Sequence, residues 1–388
     1  MKIRRVRLSP YRLPLVAPLV TAHGRLDARR GWLLELESES GAVGRGDACP
    51  FPGLPLPGGK AGAGGFGMES WARCGERLRE WLPRLVGESA ASRSAALEAW
   101  DASVPDAPGA RFAVDCALTE LVALSAARSV AELLAEEQGR RPRARVSVSA
   151  LVTAFETEAI RDQARSLQAA GFSTFKLKLG AAPLAEDLLR VQALREALGP
   201  APQIRLDANG AWSREQARSA LEALGPLDIE LVEQPVAAED LFGLGELCGV
   251  GGVRVAADEA LAGPGGGARV IARQAADCLV LKPAALGGLG LALALAEDAA
   301  RAGIDCFVTH LMDSAFGVAA AAQLAAALPA AGPDHGLVNA GLFGFDLAPP
   351  PRIEGGRLEL TDAPGWGLEP GAEAMARASL GDATEFAA

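Results

Sequence analysis

Three acidic residues stand at near-equal spacing, each closing a short apolar run: Ile204-Arg-Leu-Asp207, Ile229-Glu-Leu-Val-Glu233 and Val253-Arg-Val-Ala-Ala-Asp258. The interval is one strand plus one returning helix, so the chain delivers one carboxylate from each of three consecutive parallel strands. Carboxylates meeting at one sheet end call for a divalent cation. Oxygen-only donors with room left for water and substrate suit Mg2+, with Mn2+ as a substitute, better than zinc, which draws His or Cys. Taken singly, each acid could be a helix cap or a surface charge. In register, they read as a cation site.

One interval earlier the chain reads Phe175-Lys176-Leu177-Lys178-Leu179. Alternation sends both ammonium groups to one face, roughly 7 Å apart, and the other face is apolar enough to need a cover of helices. Like-charge crowding and partial burial both lower a lysine pKa. Lys178, nearer the strand end, is therefore the better candidate base. Leu279-Val-Leu-Lys282-Pro283 adds a lysine at the same level. Four strands separate it from Lys178, half the circumference of an eight-stranded barrel, so the two amines face each other across the mouth with the acids between. The chemistry this suggests is abstraction of the proton beside a substrate carboxylate, with the cation and the second lysine stabilising the enediolate.

The elements that must hold these residues follow a rhythm. Apolar β-rich runs occur at 146–151, 174–179, 204–207, 229–233, 253–258, 278–282, 306–310 and 336–339. Eight runs spaced by 25 to 30 residues predict a closed α/β barrel (~25–30 per βα unit). Segments 156–170, 184–198, 213–224 and 291–302 carry apolar residues at helical spacing and predict surface helices with one buried stripe. Residues 1 to about 110 read as a separate α+β unit, with strands at 3–13 and 32–37 and helix around 69–86. The tail beyond Phe345 carries a hairpin around Gly355-Gly356 that could rejoin that unit.

Residues 50–67 are dense in Gly and Pro and read either as a lid over the site or as an irregular surface loop. Gly62-Ala-Gly64-Gly-Phe-Gly67 matches a dinucleotide fingerprint formally, but no strand precedes it and no helix opens from it. Gly59-Lys60 fails as a phosphate loop because Ala61 follows it.

With 388 residues, 49% of them apolar and 22% charged, the chain has ample material for a core. Its net charge of −10 carries no basic block that could track phosphates, so nucleic acid is not an expected partner. Six cysteines without CxxC spacing read as reduced thiols in a cytoplasmic protein. No signal peptide is apparent at the start, and the Ala-rich stretch from Ser314 to Ala331 reads as a buried barrel helix rather than a membrane span. The expected partner is a small-molecule carboxylate; oligomeric state is not readable.

Lys176-Leu-Lys178, Asp207-Ala-Asn209, Glu233-Gln-Pro235, Asp258-Glu259 and Lys282-Pro283 together resemble, in order and spacing, the enolase superfamily. Paired lysines place the resemblance in its muconate-lactonizing subgroup. It implies a (β/α)7β barrel at about 113–345, with a capping domain built from 1–112 and the returning tail 346–388. It also implies Mg2+ on Asp207, Glu233 and Asp258, with Asn209 and Glu259 behind them. Lys178 and Lys282, assisted by Lys176, would be catalytic.

Within the subgroup, Leu337 to Phe343 lacks the Asp-x-Asp that dipeptide epimerases carry. His310-Leu-Met-Asp313-Ser-Ala-Phe-Gly317 looks more like o-succinylbenzoate synthases than cycloisomerases, with Asp313 where many members have Glu. The implied activity is dehydration of a succinyl-hydroxycyclohexadiene carboxylate to an aromatic ring in menaquinone synthesis. N-succinylamino acid racemase or another epimerase is the alternative, then a muconate-type cycloisomerase, then a non-catalytic metal-binding barrel. Thr21, His23 and Phe51 in the cap, and Asp313 and Ser314 in the barrel, are expected substrate contacts. His310 and His335 are expected to be packed rather than catalytic.

Overall fold

The computed structural model describes residues 1–21, 24–51, 66–329, 332–339 and 341–387. The chain opens with strands β1 (Ile3–Thr21), β2 (Gly24–Ser38) and β3 (Val43–Ala48). Val6 and Leu8 turn inward on β1 while Arg5 and Arg7 stay exposed, the alternation expected of a sheet with one covered face. The cover is the helix Pro108–Ser125. Gly44 and Gly46 let it lie directly on β3: a Cβ added to them would sit 2.1 Å from the Ala117 carbonyl oxygen and 1.9 Å from that of Ala113. Spacing of two on the strand thus meets spacing of four on the helix.

The same helix belongs to two cores. Ala113, Val114, Ala117 and Leu121 pack into the cap, whereas Phe112 and Cys116 pack into the barrel. The helix expected at 69–86 forms as Trp71–Trp81 followed by a 3-10 turn at Leu82–Leu85, where Pro83 stops the α-helical ladder.

After β4 (Arg145–Ser147) come the barrel strands β5 (Ala150–Val152), β6 (Thr174–Lys178), β7 (Gln203–Asp207), β8 (Leu231–Glu233), β9 (Arg254–Ala257), β10 (Cys278–Leu281) and β11 (Asp305–Val308). From β5 to β11 they form a seven-stranded parallel sheet in sequence order, which with its helices makes the predicted α/β barrel. The expected helices appear at Thr157–Ala169, Leu184–Leu198, Arg214–Leu224 and Leu289–Arg301. The Ala-rich segment is the helix Ala315–Ala327, every residue of it buried. Among the described residues no helix is long and apolar enough to cross a membrane.

Two expectations need correction. The run 146–151 is not one strand: β4 leaves the barrel to pair with the tail, and only β5 joins β6. The eighth run, 336–339, forms no extended strand. It is reduced to single bridges, His335 to Val148 and Gly336 to Thr309, held by Ser149 N–H to His335 O and Gly336 N–H to Val308 O at 2.9 Å each. Pro333 just upstream has no N–H to extend the ladder. The seam between first and last barrel segments therefore closes on two residues.

The tail contributes β12 (Ile353–Glu354), β13 (Arg357–Glu359) and β14 (Thr384–Ala387). The hairpin β12–β13 adds to β4 rather than to the first unit. It is β14 that returns to the cap, antiparallel to β1.

His335 sits in the seam with Nδ1 accepting from Val308 N–H at 3.0 Å and Nε2 3.1 Å from Arg143 Nη2. Burial, then the nearby Arg143 and Arg205, push its pKa from the ordinary 6.5 down to about 3. The folded protein thus keeps the ring neutral where the unfolded chain binds a proton. Stability from this group is full above pH 6.5 and is lost as pH falls towards 3. Between those limits the parent should lose about 1.4 kcal/mol per pH unit more than the His335→Gln variant. Urea unfolding at pH 7, 6, 5 and 4 measures the difference, and equal slopes would refute it.

Candidate active site

Strand register brings the acids together. Lys178 on β6 is level with Asp207 on β7, Asp207 with Glu233 on β8, and Glu233 with Ala256 on β9, two residues short of Asp258. The side chains converge accordingly. Lys176 Nζ lies 2.7 Å from Glu233 Oε2 and 2.9 Å from Asp207 Oδ2. Lys178 Nζ reaches the same Asp207 oxygen at 3.0 Å and Asn209 Oδ1 at 2.8 Å. Lys282 is ion-paired with Asp258 from the far side of the arc. Asp207, Glu233 and Asp258 are all buried, Lys176 and Lys282 nearly so, and the Lys178 side chain keeps 51% of its surface exposed.

Two backbone devices hold these ends. Asn209 takes a left-handed φ of 44°, which asparagine tolerates. Its amide is oriented from both sides, giving Oδ1 to Lys178 and Nδ2 to Glu259 Oε1 at 3.0 Å. Gln234, at φ 41°, is wholly buried in a conformation that costs energy for any residue but glycine. Its Oε1 accepts from both Asp258 N–H and Ala260 N–H at 3.0 Å, and its Nε2 donates to Val236 O. The Glu233-Gln-Pro235 triplet was the only sequence signal for it.

The electrostatics run against one expectation. Crowding was expected to lower the lysine pKa values. Burial does work against the charge on Lys176, but attraction by Asp207, Glu233 and Asp258 outweighs it and its pKa is raised. Lys282 is raised too, burial being overcome by Asp258 and Glu233. For Asp207, burial is overcome by Lys176 and Lys178 and the carboxyl is lowered. Glu233 is pushed up to about 7 by burial and the charge of Asp207, and Asp258 to about 6, mainly by burial.

Buried oxygens remain without partners: Glu233 Oε1, Asp258 Oδ1 and Glu259 Oε2. Unpaired carboxylate oxygens at the focus of an acidic site are what a hard cation such as Mg2+ would satisfy. Among the described residues no trio of acidic, histidine or cysteine side chains is already gathered about one point as a bound cation would gather it. Here the ammonium groups of Lys176 and Lys282 lie against the acids instead.

The expected substrate contacts divide. Phe51 is half-buried beneath the Arg29 guanidinium, 5.0 Å from its ring centre. Asp313 is buried, with Oδ2 accepting from Leu311 N–H at 3.1 Å and Oδ1 unpaired. Ser314 is spent structurally: it caps the helix Ala315–Ala327 and gives its hydroxyl to Asp47 Oδ2 at 2.7 Å. His23 and residues 52–65 lie outside the described residues, as does the side chain of Thr21. His335 is packed in the seam, and His310 Nε2 contacts Val338 O at 3.3 Å.

Sequence reasoning missed three cap residues near the barrel. Asp47 receives Tyr11 and Ser314. Arg29, buried, donates to the carbonyls of Cys49, Pro50 and Met312. Phe66 places its ring 4.0 Å from Lys282 Nζ. No spacing or motif marks Asp47 or Arg29, and Phe66 stands out only as part of the Gly- and Pro-rich segment 50–67.

The comparisons agree with this architecture. Residues 3–135 match the mandelate racemase/muconate lactonizing enzyme N-terminal domain, and residues 159–374 the enolase C-terminal domain-like family. The chain belongs to the enolase superfamily, in its muconate-lactonizing subgroup. It is 27% identical to N-succinyl-L-Arg/Lys racemase of Bacillus cereus over 95% of each chain. It is 32% identical to muconate cycloisomerase 1 of Rhodococcus opacus over 92% of this chain and 93% of that one. A dipeptide epimerase from Enterococcus faecalis, solved with Mg and the dipeptide L-Leu-L-Tyr, superposes with a TM-score of 0.85 at 27% identity, covering 95% of this chain and all of that one.

Removing the Lys176 ammonium leaves buried Glu233 without its ion-pair partner and Asp207 with Lys178 alone, a change that costs about 3–5 kcal/mol in buried ion pairs. Lys176→Met should therefore melt well below the parent without added cation, and Mg2+ should recover more of the loss in Lys176→Met than it adds to the parent. Thermal melts with and without MgCl2 read both effects. Equal Mg2+ shifts in the two proteins would contradict the assignment.

Proposed function

We propose that the protein is an o-succinylbenzoate synthase, dehydrating 2-succinyl-6-hydroxy-2,4-cyclohexadiene-1-carboxylate to o-succinylbenzoate. The observation that carries the reading is the pair of lysines on β6 and just past β10, each bonded to an acid of the arc between them. Bound by Asp207, Glu233 and Asp258, Mg2+ would stabilise negative charge on the substrate carboxylate.

Lys178 is placed to act as the base. It is the exposed member of the lysine pair, and Asp207 and Asn209 aim its Nζ from below. As a free amine it takes the ring proton beside the carboxylate, and the electron pair moves onto the carboxyl oxygens. Lys282, an ammonium on the opposite wall, adds positive charge where that density collects. The pair then returns to the ring and expels the 6-hydroxyl, which leaves as water on the proton that Lys178 took, restoring the free amine. Aromatisation makes the step strongly downhill.

The ending is supported by the seventh-strand sequence His310 to Gly317 and by the missing Asp-x-Asp after β11. A second reading has its own support. Opposed lysines also suit proton transfer between the two faces of an α-carbon, and an N-succinylamino acid racemase stands among the relatives. Both substrates carry a succinyl group and an acidic C–H beside a carboxylate, so the two share their first step.

Incubation with the cyclohexadiene carboxylate and Mg2+ should give the ultraviolet absorbance of the aromatic product. Lys178→Ala should lower that rate by 10²–10⁴-fold, the usual worth of a positioned general base. Failure on this compound, with α-deuterium incorporation and inversion of N-succinylamino acids in heavy water, would overturn the synthase reading and establish the racemase.

A further inference from the structure

Lys282 is held from two sides by different parts of the molecule. Its Nζ is ion-paired with Asp258 of the barrel. The Phe66 ring, from the cap segment leading into the helix Trp71–Trp81, covers the ammonium at 4.0 Å from ring centre to nitrogen. Phe66 is itself only 6% exposed. The space between them is a cavity of about 10 Å3, lined by Phe66, Asp258, Leu261, Lys282, Ala285 and Leu286, room for about one water.

Among the described residues Lys178 has no such arrangement: both of its partners there, Asp207 and Asn209, are polar and belong to the barrel. The asymmetry matters because a lysine stem is flexible, and one carboxylate fixes the distance of its nitrogen better than its direction. An aromatic face adds the missing direction. It attracts the cation without accepting a proton, and leaves the donors turned towards substrate free.

We propose that Phe66 is a positioning residue for Lys282, a cap side chain that keeps the ammonium aimed into the pocket, so that docking of cap on barrel completes the site. The inference rests on the reading of Lys282 as a participant in the reaction.

The test compares Phe66→Leu, which keeps apolar volume but removes the π face, with Phe66→Tyr, which keeps the face. Turnover is followed on whichever of the cyclohexadiene carboxylate or an N-succinylamino acid the parent processes. The Leu variant should lose roughly tenfold in kcat with KM little changed, the order expected for a desolvated cation–π contact. The Tyr variant should stay near the parent, and all three proteins should melt together. Parental kcat in Phe66→Leu, equal losses in both variants, or a loss confined to KM would overturn the proposal.

A crystal structure of Phe66→Leu decides the matter apart from activity. Lys282 Nζ turned away from its parental position supports the inference even if neither substrate is processed, which would sink the functional reading alone. Nζ unmoved overturns it.

Discussion

The site depends on one ammonium. Three acids buried at adjacent strand ends would repel each other and lose their hydration. Lys176 makes the arrangement tolerable by standing between Asp207 and Glu233, in reach of both. Placing it there requires β6, β7 and β8 to be in rung-for-rung register, because a slip of one residue would turn Lys176 into the helix layer. The apolar faces of the strands enforce that register: Phe175 and Leu177, like Ile204 and Leu206, are fully buried on the side the helices cover. Hydrophobic burial thus pins a charge cluster that could not assemble by its own electrostatics.

What the barrel cannot do alone, the cap supplies. The helix Pro108–Ser125 is shared between the two cores, so cap and barrel pack through a common element. Asp47 reaches across to the capping serine of Ala315–Ala327, and Arg29 donates to Met312 O in the loop after β11. These contacts are polar and at least partly buried, hence direction-dependent, and they fix how the cap sits over the mouth. The solved Enterococcus faecalis epimerase superposes on cap and barrel together.

The run of strands and helices, the placing of acids and lysines at one sheet end and the covered apolar faces could be read from the chain, because each rests on a period of two, of 3.6, or of one βα unit. Arg29, Asp47 and the contact made by Phe66 could not. Each acts on residues distant in sequence, and neither its type nor its neighbours betray the partner. Arg29, for example, meets Met312. The misplacement of Ser314 has the same origin: serine ahead of an apolar helix is a cap by local rules and a substrate contact by family likeness, and only Asp47, from another domain, shows which role its hydroxyl serves.

By itself the sequence determined the α/β alternation, the apolar stripes and the order in which charged side chains arrive at the strand ends, since these follow from local periodicity. Tertiary structure alone decided that the last barrel segment closes through two bridges, that β4 joins the tail, and that the carboxylate cage raises rather than lowers the pKa of Lys176. The reason is physical. Strand closure, domain docking and the balance between desolvation and Coulomb attraction are set by distances between residues far apart in the chain, and such distances exist only once it has folded.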